Sequence, residues 1–295
     1  EFIDSLNKEY SALRLQHEPA SLLPFSEASA RRLRLDWENY FPLAPAAGTE
    51  AVTLTLDPEL LRPFINRRAL LHAWNLSSDE AAAEASKLLS DAEELFNSLA
   101  TEWPGFCKAR FRIAEAVSDG DDLVIAGRRW PMVRSQRLID GATLSLADFV
   151  MPVATGRTDF VGVFAVNGAF GLDELRESLK GDQYRSMLLS TLCDRIAEAG
   201  AELLHSLVRR NYWGYAADEA LSVREIMQGR YTGIRPAVGF PSIPDQLMNR
   251  ILDETIGLGE AGITLTDNGA MSPSASVSGL MIARPEARYF TVGRI

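Results

Sequence analysis

Helix-like and strand-like stretches are segregated along this chain, and that segregation restricts the fold more than any other feature. Val52-Thr53-Leu54-Thr55-Leu56 alternates as a strand does. Asp57 then offers an N-cap and Pro58 a first-turn proline, which predicts a helix running toward Trp74. Ser77-Ser78-Asp79-Glu80 predicts the cap of a longer helix, with Leu88, Leu89, Ala92, Leu95, Phe96 and Leu99 on its apolar stripe. A strand-rich tract follows. Lys108 to Val117 alternates, Asp119-Gly120-Asp121-Asp122 is a turn, and Leu123 to Ala126 closes a hairpin. Phe160 to Val166 is the most strand-like segment of all, and a helix from Leu172 to Leu179 follows Asn167-Gly168. Gln183 to Tyr212 reads as one long amphipathic helix. On it Asp194 and Glu198, four residues apart, project from the same side. Two apolar segments, Gly262 to Leu265 and Val277 to Ala283, and a final strand from Arg288 to Ile295 complete the pattern. Clustered rather than alternating helices favour an α+β domain with an antiparallel sheet over a doubly wound parallel fold.

Composition excludes several function classes. With 30 Lys and Arg against 40 Asp and Glu, the net charge is −10, which lacks the electrostatic footprint of a nucleic-acid binder. The basic run Arg31-Arg32-Leu33-Arg34 is read as a solvated face. No stretch approaches the ~18 consecutive apolar residues of a membrane span. Glu1-Phe2-Ile3-Asp4-Ser5 lacks the basic and apolar regions of a signal peptide. Cys107 and Cys193 form no CxxC or zinc pattern, which is the expectation for reduced thiols in a cytoplasmic protein. His17, His72 and His205 form no HExxH or HxH, so no histidine-built metal site is expected. P-loop, GxGxxG and GxSxG signatures are also missing.

One tract carries more information. Gly233-Ile234-Arg235-Pro236-Ala237-Val238-Gly239-Phe240-Pro241-Ser242-Ile243-Pro244-Asp245 packs three prolines and two glycines into thirteen residues. Such a loop is irregular and fairly rigid. Pro236 biases Arg235 toward an extended conformation, and Gly239 allows a ligand close to the main chain. A single Arg in this setting can clamp a carboxylate bidentately, or can be a surface Arg on an exposed turn.

The tract resembles the Arg-x-x-x-Gly-Tyr-Pro signature of the activation domain of cobalamin-dependent methionine synthase. Its flanks agree in order and spacing: Asp194-Arg195-Ile196-Ala197-Glu198-Ala199, Asn211-Tyr212-Trp213-Gly214-Tyr215-Ala216, Arg230-Tyr231-Thr232-Gly233, Ala275-Ser276-Val277-Ser278-Gly279 and Arg288-Tyr289-Phe290. Upstream, Leu146-Ala147-Asp148-Phe149-Val150 and Asp159-Phe160-Val161-Gly162 also agree. The likeness spans nearly the whole chain and is strongest from about Leu146 onward.

The resemblance implies one curved α+β domain over 1–295, with a twisted antiparallel β-sheet flanked by helices. Residues 1–100 would be its mostly helical part, and 101–295 the sheet-containing part with the ligand loop. It implies binding of S-adenosyl-L-methionine. It also implies a repair role in methionine biosynthesis: reductive methylation of oxidised cob(II)alamin, with an electron from a flavodoxin-type donor. The cobalamin (vitamin B12) would be presented by a cobalamin-binding domain or partner protein, because no DxHxxG motif occurs here. The chain would then be part of a methyltransferase system and not complete alone, as a stand-alone protein or an excised domain.

Carried over residue by residue, Arg235 would clamp the ligand carboxylate and the backbone of Ala237 and Gly239 would meet the adenosine. Glu198, one turn from Asp194, would sit near the positive end, and Tyr289 with Phe290 would complete the pocket. Phe240 stands where the family has Tyr, so a hydroxyl is lost. Ser242-Ile243-Pro244-Asp245-Gln246 replaces a stretch with Cys and His, and Asn66 falls where the family places an Asp. These departures motivate an alternative: a diverged, non-catalytic relative that binds a corrinoid protein or another ligand without methyl transfer.

Overall fold

The computed structural model describes residues 22–77 and 81–292. Its helices are α1 (Phe25–Ala30), α2 (Pro58–Leu61), α3 (Arg67–Ala73), α4 (Ala82–Glu102), α5 (Asp173–Ser178), α6 (Gln183–Leu207), α7 (Val223–Met227) and α8 (Met248–Ile256). Its strands are β1 (Val52–Thr55), β2 (Lys108–Asp119), β3 (Asp122–Ile125), β4 (Arg128–Pro131), β5 (Asp159–Asn167), β6 (Thr264–Leu265), β7 (Met271–Ser272) and β8 (Ser276–Met281). The main sheet runs β4-β3-β2-β5-β8, and every pairing in it is antiparallel. Strand β2 is long enough to serve two partners on one edge. Its first four residues pair with β1, and its last four pair with β3 across the expected hairpin. The fold is the α+β arrangement expected from the segregated pattern.

The sheet is covered on both faces. Ala109, Phe111 and Ile113 of β2 join Phe164 and Val166 of β5 against Leu192, Ile196 and Leu203 of α6. Ala114 and Ala116, with Val161, Val163 and Ala165, pack on the opposite face against Leu252 and Ile256 of α8. Strand β5 is therefore buried on both sides, which is why its sequence is continuously apolar instead of alternating. Helix α6 lies very close to the end of β5. Ala197, Ala199, Gly200 and Ala201 are all buried there. A Cβ on Gly168 would sit 2.5 Å from the carbonyl oxygen of Cys193 and 2.6 Å from the amide of Ala197. Cys107 and Cys193 are both buried free thiols, and burial pushes Cys193 up to about 12.

Residues 36–43 form an irregular strap held by Arg284 and Arg157. The Arg284 guanidinium packs against both Trp37, at 4.4 Å, and Tyr40, at 4.0 Å, pairs with Glu286 and donates to the Asp36 carbonyl. Arg157 donates to the carbonyls of Trp37 and Tyr40, and Trp213 Nε1 donates to that of Leu43. Part of the basic run is engaged internally. Arg31 pairs with Glu27, and Arg32 pairs with Asp121, which also holds buried Arg134.

Three local expectations differ from the structure. The helix expected from Asp57 toward Trp74 is broken into α2, a 3-10 turn at Arg62–Phe64 and α3. Pro63 lies in that turn, Ile65 is extended, and Asn66 starts a new helix. The helix expected to Tyr212 ends its α-helical part at Leu207 and widens into a π turn over Val208–Tyr212. Residues 288–292 form no strand. Their alternation serves packing, with Phe290 and Val292 in the second core. The cap expected at Ser77–Glu80 falls mostly outside the described residues, as does the opening stretch to residue 21.

The approach of α6 to β5 gives the first prediction. Gly168→Ala should lower the unfolding free energy by about 1–3 kcal/mol through overpacking. Gly259→Ala, where a Cβ meets nothing within 4 Å, should leave the urea midpoint unchanged. Equal midpoints for both variants would contradict the steric argument.

Candidate functional site

The proline-rich loop is built as an extra rung on the sheet edge. Ile234 and Ile282 exchange both backbone hydrogen bonds, at 2.9 and 3.0 Å. Leu280 N–H donates to the Pro236 carbonyl, and Val238 N–H donates to that of Ser278. Pro236 has no N–H to return, so the proline costs the ladder one bond only. Two glycines make room for this contact. A Cβ on Gly279 would lie 2.2 Å from the Pro236 oxygen, and one on Gly233, at φ +83°, would lie 2.4 Å from the Ile282 oxygen. The chain then turns at Gly239, whose N–H donates to the Ile243 carbonyl. Ile243 is buried as an anchor, and Phe240 is 63% exposed.

This laddering aims Arg235 inward. Its backbone N–H donates to Tyr289 Oη at 2.9 Å, and Tyr289 Oη lies 3.0 Å from Tyr231 Oη. Its guanidinium meets Glu202 on α6, with Nη2 2.5 Å from Oε1, and lies over the Phe164 ring. The surrounding cleft has a volume of about 570 Å³. Glu198 and Glu202 on α6 contribute acid to it, Phe240 and Tyr289 aromatic walls, and Val277 of β8 an apolar floor. Burial pushes the Glu198 carboxyl above its usual range, with Asp194 and Glu202 adding to the shift and Arg195 and Arg235 opposing it. Glu198 itself pairs with Arg195 at 2.9 Å.

Of the residues singled out from sequence, Glu198, Arg235, Ala237, Phe240, Tyr289 and Phe290 line this one cleft. Gly239 forms the turn beside it. Phe290 is mostly buried and faces Phe149. Asp194 and Asn66 are not among the lining residues. Asp194 is half-buried near Arg195 and Arg176, and the Asn66 side chain caps α3 by accepting from Ala69 N–H. Sequence reasoning missed Glu202 and Tyr231. The i, i+4 argument that paired Asp194 with Glu198 would have reached Glu202 one turn later.

The family model for the activation domain of vitamin B12 dependent methionine synthase matches residues 35–295. The chain belongs to this family. Among solved structures, this activation domain is similar to the MetH reactivation domain bound to AdoHcy, at 30% identity and a TM-score of 0.86. That match covers 93% of this chain and 90% of the other. The antiparallel sheet with helices on its faces is thus the fold of the reactivation domain. Among the described residues no helix is long and apolar enough to cross a membrane.

Beneath the cleft of this activation domain lies a buried histidine. The His205 ring packs edge-on against Tyr231 at 4.7 Å, and its Nδ1 has no hydrogen-bond partner. Burial, then the charges of Arg209 and Arg235, hold its pKa well below the usual value, so the ring is neutral. Below about pH 6.5 the unfolded chain takes up a proton that the native His205 refuses, so this residue lowers stability as pH falls. The difference in unfolding free energy between the wild type and His205→Phe should therefore change by about 1.4 kcal/mol per pH unit below pH 6. Urea titrations at pH 7.5, 6 and 5 would check this, and a pH-independent difference would contradict it.

Proposed function

We propose that this chain is an S-adenosylmethionine-binding reactivation module that supports reductive methylation of oxidised cob(II)alamin on a cobalamin-dependent methionine synthase. The observation that carries this reading is Arg235, a nearly buried guanidinium held on the sheet edge at the wall of an apolar cleft about 570 Å³ in volume. A cleft of that size suits a nucleoside-sized ligand. Family membership and the AdoHcy bound to the similar reactivation domain support the same ligand class.

In this reading Arg235 takes the ligand carboxylate in a charge-assisted contact. Glu198 faces the positive end, where a desolvated sulfonium needs a counter-charge. Phe240 and Tyr289 flank the ligand by stacking, which Phe240 can do without a hydroxyl. The same two residues fit cobalamin. They are 63% and 53% exposed at the cleft, an aromatic surface suited to a flat macrocycle brought by another domain or protein. Cobalamin, held by that partner, supplies the cobalt that accepts the electron and the methyl group. A flavodoxin-type donor would provide the electron, and the two buried thiols suit a cytoplasmic setting. The chain's own residues bind and orient the methyl donor and keep water from it.

Calorimetric titration with S-adenosylmethionine tests the proposal. Micromolar affinity is expected, about −8 kcal/mol at 1 μM. Arg235→Ala should weaken binding by about 3 kcal/mol, roughly a hundredfold. Unchanged affinity in that variant would sink the role of Arg235. Gly279→Ala, which keeps the Arg235 side chain but pushes the loop that aims it off β8, should also weaken binding. A wild-type chain that fails to bind would favour a diverged relative that engages a corrinoid protein, or another ligand, without methyl transfer.

A further inference from the structure

Side-on Arg–Glu forks recur in this fold, and the Arg235–Glu202 pair lacks one arm of such a fork. Arg209 meets Glu219 through both Nε and Nη2, at 2.9 and 2.5 Å. Arg284 meets Glu286 in the same way, at 2.8 and 3.0 Å. Arg235 meets Glu202 through Nη2 alone. The two atoms that would complete that fork, Arg235 Nε and Glu202 Oε2, are both buried and without a partner. An unsatisfied buried donor or acceptor on a charged group is costly, so this pair is held short of its most stable arrangement. It is also the pair that lines the cleft.

A ligand that carries its own carboxylate and its own ammonium can satisfy both halves at once. The carboxylate takes N–H groups of Arg235. The ammonium, with three donors and no acceptor, takes the oxygens of Glu202. An internal ion pair is then exchanged for two intermolecular ones with no net change in buried charge. From the unfinished Arg235–Glu202 pair we infer that Glu202 is a specificity residue: it releases Arg235 to the ligand carboxylate and accepts the α-ammonium of the same amino-acid moiety. This inference rests on the reading of the cleft as an S-adenosylmethionine site. It adds a selection for the free zwitterionic amino acid over adenosine thioethers that lack it.

The test is calorimetry on the full chain with two ligands that share a neutral thioether, S-adenosylhomocysteine and 5′-methylthioadenosine. Only the first carries the amino acid. Glu202→Gln keeps the size of the side chain and removes its charge, and a thermal melt verifies that it folds. S-adenosylhomocysteine should bind Glu202→Gln about tenfold more weakly than wild type, as expected for one charge-assisted contact. 5′-Methylthioadenosine should bind both proteins within about twofold. Glu202→Asp, which retains the charge, should recover part of the loss. Equal weakening of both ligands would assign Glu202 a purely structural role and overturn the inference. Tighter binding of S-adenosylhomocysteine by Glu202→Gln would overturn it too, because Glu202 would then only obstruct Arg235. A wild-type chain that binds neither ligand would overturn the reading of the cleft itself, and the inference with it.

Discussion

The backbone contact between residues 234–238 and strand β8 is the interaction on which the cleft depends. A loop with three prolines has few hydrogen-bonding options of its own. Here it borrows the free edge of the sheet, and Gly279 and Gly233 let the two backbones approach within a distance no side chain would permit. Two consequences follow from that register. Arg235 is turned toward α6, and its amide is delivered to Tyr289. The side chain proposed to bind is therefore positioned by main-chain geometry, which is more rigid than a free surface loop would be.

The charges around the cleft belong mainly to one helix. Helix α6 packs its small residues against β5 and turns Glu198 and Glu202 toward the loop. One further turn along, His205 feels the charges of both Arg209 and Arg235 and stays neutral. The π turn that ends this helix carries Arg209, which is fully buried and forked on Glu219. Glu202 both pairs with Arg235 and lines the open volume.

Much of this was legible in the sequence. The antiparallel hairpin and the long amphipathic helix follow from periodicity and turn chemistry, and the run from Phe160 to Val166 marked a strand. The loop from Gly233 to Asp245 stood out because its composition could not belong to a helix or a central strand. Other features were hidden for physical reasons. Pro236 argues against a strand, yet the loop pairs with β8 because an edge position tolerates one missing donor. The break at Pro63 was masked by a cap and an apolar pattern that continue on both sides of it. The terminal alternation at Arg288 to Val292 looked like a strand because burying one side and exposing the other produces the same period as a ladder. Glu202 was invisible as a cleft residue because its partner, Arg235, lies 33 positions away and only the fold brings them together.

The central claim is that a sheet-laddered Arg235 holds the amino-acid end of an adenosyl ligand. A crystal structure of this chain with S-adenosylhomocysteine tests it most directly. The ligand carboxylate should lie on Arg235, with the adenosine between Phe240 and Tyr289 and the hydrogen bonds of residues 234–238 to β8 intact. A ligand seated elsewhere, or one bound with Arg235 turned to solvent and the loop detached from β8, would contradict the account.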